Sequence, residues 1–156
     1  VANKILAFFE AEVEPTVSLA SIANGAGRIS ALIDNTTVRA ARGILAVKVK
    51  TGTSPTVNTA VRYYLIRQSA ATSVVKGGGG GLGDSDAGVS AEPTLAPVVG
   101  SIIVSSSSNV SYSELFTVNE PGEKFSIVVW NATGASLNAT PDTPSLQWTP
   151  ITDEVQ

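Results

Sequence analysis

Hydrophobic and polar positions alternate with a period of two along much of the chain, the pattern of strands that turn one face to a core. The cleanest run is residues 43–51, where Leu45, Val47 and Val49 share one face and Ala46, Lys48 and Lys50 the other. Residues 59–68 (TAVRYYLIRQ) predict a second long strand. Val61, Tyr63 and Leu65 lie on one side of it, Arg62, Tyr64, Ile66 and Gln68 on the other. These two runs are expected to pair as antiparallel neighbours.

The run at residues 124–130 differs. Phe125, Ile127 and Val129 point one way, and Ser126, Val128 and Trp130 the other, so only one position is polar. A strand apolar on both sides is either covered twice within its own fold or turns its second face to another molecule. Val128 and Trp130 are therefore candidate interface residues. Turn signals bound the run, with Pro121-Gly122 before it and Asn131 and Gly134 after it.

Shorter strands are expected at 17–22 and 28–33, joined as a hairpin through Asn24-Gly25-Ala26-Gly27, and at 98–105, 110–118 and 145–151. Residues 4–9 (KILAFF) are apolar and then give way to alternating Glu10, Glu12 and Glu14. A short helix and an edge strand both fit so short a run. Phe8 and Phe9 make residues 1–16 a candidate arm or edge element that packs on a neighbouring subunit. Residues 152–156 are an acidic tail.

Five glycines, Gly77 to Gly81, open the one low-complexity segment. A glycine run holds no regular element cheaply, so 77–92 is expected to be a long flexible loop that divides the chain into halves, with Gly77 to Gly88 dispensable for folding. The sum is eight or nine short strands with no convincing helix. That predicts an all-β fold: an antiparallel, jelly-roll-like β-sandwich formed by a single domain over 17–151. Its core is expected to hold Leu45, Val47, Val49, Tyr63, Leu65, Phe125, Ile127 and Val129.

Composition narrows the chemistry. The chain has 156 residues, no Cys and no His. Disulfides, Cys nucleophiles, Ser-His-Asp triads and His-ligated metals are excluded by inventory. Nothing groups the remaining Lys, Asp, Glu, Tyr and Arg, and an enzyme is not expected. Charge is split along the chain. Residues 28–76 carry eight basic residues against Asp34 alone, while residues 77–156 carry nine acids against Lys124. Either folding intermixes these charges, or the subunit is dipolar and meets its neighbours positive to negative. The basic positions are scattered without interleaved aromatics, so no nucleic-acid partner is expected. No apolar run approaches a membrane-spanning length. The start at Val1-Ala2, with no signal peptide, is expected of a protein made in the cytoplasm whose initiator Met was removed before a small residue.

The motifs are weak. Gly78-x-Gly80-x-x-Gly83 fits a dinucleotide pattern only as any glycine run would, and no cofactor is expected. Asp84 and Asp86 resemble half of a calcium loop, without its distant Glu; they are a weak candidate Ca²⁺ site. Trp130 and Trp148 suit the core. On an exposed face they would instead anchor a partner or stack on a sugar.

The phrases SLASIANGAGRISALIDNTT, GILAVKVKTG and YYLIRQ, followed by YSELFTV, KFSIVVWNATGASLNAT and LQWTPI, are similar to small β-sandwich structural proteins of tailed-bacteriophage virions. The resemblance covers most of the chain outside the glycine loop and carries no active site. It implies a virion component, made in the host cytoplasm. A capsid decoration or cement protein is the first expectation, with the major capsid protein and its own copies as partners. The alternative is a tail, neck or fibre β-sandwich that binds a host-surface glycan.

Overall fold

The computed structural model describes residues 5–68, 75–76 and 85–155. Among them there is no helix and there are eleven strands. These are β1 (Ile5–Phe9), β2 (Ala26–Ile29), β3 (Ile33–Asp34), β4 (Arg42–Lys50), β5 (Ala60–Gln68), β6 (Val75–Lys76), β7 (Ala87–Val89), β8 (Val98–Ile103), β9 (Ser111–Asn119), β10 (Lys124–Ala132) and β11 (Leu146–Val155). The surplus over the expected eight or nine comes from β3, β6 and β7, which are two or three residues long.

Two antiparallel sheets pack face to face. One has the order β1-β11-β4-β9, and the other β6-β5-β10-β2-β7, with β8 also on β5 and β3 also on β10. Of the eight longer strands taken in chain order, the first pairs with the last (β1·β11), the second with the seventh (β2·β10), the third with the sixth (β4·β9) and the fourth with the fifth (β5·β8). The chain is thus one long antiparallel ribbon, wound so that β11 also meets β4 and β10 also meets β5.

The eight expected core residues are all 3% exposed or less. Trp148 joins them, its ring edge-on to Phe125 with centroids 5.2 Å apart. The expected pairing of residues 43–51 with 59–68 is not found. β4 and β5 lie in opposite sheets, so Leu45 and Val47 face Tyr63 and Leu65 across the core. Alternation shows which face of a strand is buried but not which strand lies beside it, and the 51–59 connection spans the roughly 10 Å between sheets.

The expected strand at 17–22 is also absent. Leu19 and Ile22 instead plug the core from a turn. The expected 28–33 strand is broken at Ser30. Its main-chain N–H donates to the Ile127 carbonyl (2.9 Å), and its Oγ accepts from the Ile127 N–H (3.0 Å). That local fold-back separates β2 from β3.

Two further expectations are corrected. The tail is not free, because residues 152–155 continue β11 and pair with β1. Of the supposedly flexible 77–92 segment, residues 77–84 lie outside the described residues, but 85–92 is built into the fold. β7 pairs with β2 there, and Val89 is buried.

Candidate functional site

The strand β10 is covered on both faces by its own chain. Its inner face joins the main core. Its outer face forms a second apolar cluster in which Ile29, Tyr64, Ile66, Val128 and Trp130 meet Val89, beside them on the edge strand β7, and Ala96, from the connection that runs on from β7 to β8 at the opposite edge. Val128 is fully buried and Trp130 is 6% exposed. These two residues are therefore not an open interface, because a strap formed by residues 85–97 supplies the cover that a second molecule was expected to provide.

Polar contacts hold the strap down near its ends. Asp86 Oδ1 accepts from Arg28 Nε at 2.5 Å and from the Ser18 N–H at 3.2 Å. Glu92 Oε1 accepts from Arg62 Nη1 at 2.6 Å and from the Tyr64 hydroxyl. Of the two candidate calcium ligands, Asp84 lies outside the described residues, and the engaged oxygen of Asp86 already has two donors. Among the described residues no three acidic side chains group as metal ligands do.

Burial pushes the Glu92 carboxyl up, but the Tyr64 hydroxyl and the Arg62 guanidinium outweigh it and hold the group below its ordinary range. A carboxylate depressed in the folded state stabilises above its unfolded pKa, and that contribution is lost as pH falls through the folded one. Strap anchoring is therefore expected to weaken below about pH 4, where the free carboxylate also titrates. Amide hydrogen exchange across residues 85–97 should accelerate on acidification from pH 6 to pH 3 beyond its intrinsic pH dependence. Glu92→Gln should remove most of that excess acceleration. Equal excess acceleration in both proteins would rule out Glu92 as the group responsible.

The basic and acidic halves of the sequence are intermixed. Arg28–Asp86, Arg42–Asp153 and Arg62–Glu92 each join a base of the first half to an acid of the second. All are partly solvated, so they contribute more to register than to stability.

A cleft of about 410 Å³ opens beside Asn35, Arg39, Glu120, Gly122 and Glu123. Arg39, Glu120 and Gly122 all have positive φ (53°, 49° and 89°). The buried Asn35 side chain fixes their path. Its Nδ2 donates to the carbonyls of Ala40 and Gly122, and its Oδ1 accepts from the Ala40 N–H. The cleft's shape is thus explained by local bonding.

The remaining candidates, Phe8 and Phe9, stand on β1. Every residue of this strand is exposed, including Ile5 at 70% and Phe9 at 66%. Among the described residues β1 is the outermost strand of its sheet, and one row of its backbone groups has no ladder partner there. Proteins commonly guard such an edge with charge, proline or a bulge; ILAFF has none of these. The burial of Trp130 and Trp148 leaves Phe8 and Phe9 as the aromatics most open to solvent among the described residues. The acids beyond β1 turn back to the domain. Gln147 Nε2 donates to Glu12 and to Glu14 (3.0 Å), and Thr152 Oγ1 donates to Glu10 (2.6 Å).

No protein-family description matches this chain, and no curated protein matches it. No helix among the described residues is long and apolar enough to cross a membrane.

Proposed function

We propose that the protein is a structural subunit of a tailed-bacteriophage virion, of the kind that decorates or cements the capsid shell. Its partners are the major capsid protein and its own copies, and it works by binding rather than by catalysis. The observation that carries this reading is β1, an unguarded apolar strand at the edge of its sheet with every residue exposed. Such an edge gains main-chain hydrogen bonds and buried apolar area on meeting another chain, which suits a subunit whose task is attachment. The resemblance of the sequence phrases to virion β-sandwich proteins supports it, and the ribbon winding of the ladders supports the jelly-roll form. The glycan-binding alternative drew on Trp130 and Trp148 as a stacking platform, and both rings are buried.

The test is the protein's copy number in purified virions, measured on a quantitative gel. Shell decoration predicts an amount comparable with that of the major capsid protein. A few copies per particle would move the protein to the tail, and its absence from washed particles would overturn the reading.

A further inference from the structure

We infer that two copies of this chain associate through β1, antiparallel and centred on Ala7, joining their β1-β11-β4-β9 sheets into one continuous sheet. The inference deepens the self-association in the proposed function, but it stands on the backbone pattern of β1 alone.

The pattern follows from the ladders. In an antiparallel sheet successive residues direct their N–H and C=O groups to opposite neighbours. The Glu10 N–H donates to the Pro150 carbonyl at 2.9 Å, and the register pairs Phe8 with Thr152 and Leu6 with Glu154. The even positions of β1 therefore bond to β11. On the far side of β11, the Lys48 N–H donates to the Ser145 carbonyl, which leaves the even positions of β11 for β1, in agreement. Ile5, Ala7 and Phe9 are left with their main-chain groups on the open edge.

These three positions form a self-complementary set. A two-fold axis at Ala7 sets Ala7 against Ala7 of the second copy and Ile5 against Phe9. All three pairs then use open-edge groups on both sides. The other face brings Leu6 opposite Phe8. Every cross-strand pair is apolar, and the large side chains flank the small central one, so none meets its own bulk on the axis. Every register centred on a residue of β1 pairs open-edge positions with one another, but only the one centred on Ala7 overlaps all five residues and puts a small side chain on the axis; the others set Ile5, Leu6, Phe8 or Phe9 against itself. A second copy is therefore the occupant that the edge itself specifies. Five residues make a small contact, so the association is weak in dilute solution and strengthens wherever copies are held at high local concentration.

The chain has no cysteine, so a single engineered thiol reports the register. Across a hydrogen-bonded antiparallel pair the Cα atoms lie about 5.5 Å apart, within the roughly 4.4–6.8 Å that a disulfide spans. Under mild oxidation Ala7→Cys should give a covalent dimer, while Leu6→Cys, opposite Phe8, should cross-link at least tenfold more slowly. Ala7→Pro removes an open-edge N–H without touching the β11 ladder, as proline is tolerated on edge strands. In sedimentation equilibrium up to about 1 mM, it should weaken dimerisation at least tenfold at unchanged melting temperature. Equal cross-linking at both positions, a cysteine-free protein monomeric throughout that range, or a dimer indifferent to Ala7→Pro would each overturn the inference. If Ala7→Pro fails to fold, the cysteine pair and the sedimentation of the cysteine-free protein still decide. A monomeric protein that is abundant on virions would sink this inference alone. A β1 dimer absent from virions would sink the proposed function alone.

Discussion

Trp130→Ala is expected to destabilise the isolated monomer by about 3–5 kcal/mol, the range for truncating a buried aromatic side chain. Each kcal/mol lowers the melting temperature of a domain this size by about 2–4 °C, so a drop of roughly 10 °C is anticipated. The ring lies on the outer face of the β8/β6-β5-β10-β2-β7 sheet yet is only 6% exposed, because Val89 flanks it across Gly27 and Ala96 joins the same cluster from the connection to β8. On its own strand pair it sits opposite Gly27, where a Cβ would approach the ring to 2.8 Å. Removing the indole leaves a hole between the glycine and the strap that neither can fill. Urea and thermal unfolding of the purified variant measure the effect. A change below about 1 kcal/mol would mean that the strap does not cover the ring in solution and would return Trp130 to the interface candidates.

The second large effect is expected at Gly43. It lies next to Pro150 in the β4·β11 ladder, beneath the ring of Trp148. An added Cβ would fall within the indole's van der Waals envelope and 2.6 Å from the Thr149 carbonyl oxygen. The ring cannot swing away, since Trp148 is 1% exposed and braced by Phe125. Gly43→Ala should therefore destabilise by about 3 kcal/mol, the upper part of the usual overpacking range. The Trp148 contact can be isolated by a double-mutant cycle. In a Trp148→Leu background the same Gly43→Ala change should lose about 1 kcal/mol less stability, because one of its two clashes has gone. Strict additivity would place the whole strain at the Thr149 carbonyl.

Both predictions concern glycines whose role no strand pattern displays. Gly27 and Gly43 read in sequence as turn or strand-boundary residues. Their function is to leave room for an aromatic ring from a strand far along the chain. The strap was hidden for a related reason. Ala87, Gly88, Val89 and Ala96 carry little apolar surface each, and the glycine run before them suggests a solvated loop. Only the placement of β7 beside β2, and of Ala96 in the cluster around Trp130, makes these residues a cover.

What the sequence determined by itself is local. Alternation with a period of two settled the all-β class, the positions of β4, β5, β9, β10 and β11 within a few residues, and all eight expected core positions. Each strand's buried face is written in its own side chains. The inventory without Cys or His settled which chemistries are impossible. What the tertiary structure decided is pairing. It separated β4 from β5, drew the acidic tail into β11, added β7 beside β2 and brought Val89 and Ala96 against Trp130 and its cluster, and left Phe8 and Phe9 on an open edge. Backbone hydrogen bonds have almost no side-chain specificity, so many pairings satisfy one pattern. The choice among them is made by the burial of the whole set at once, with β1 left over at the rim.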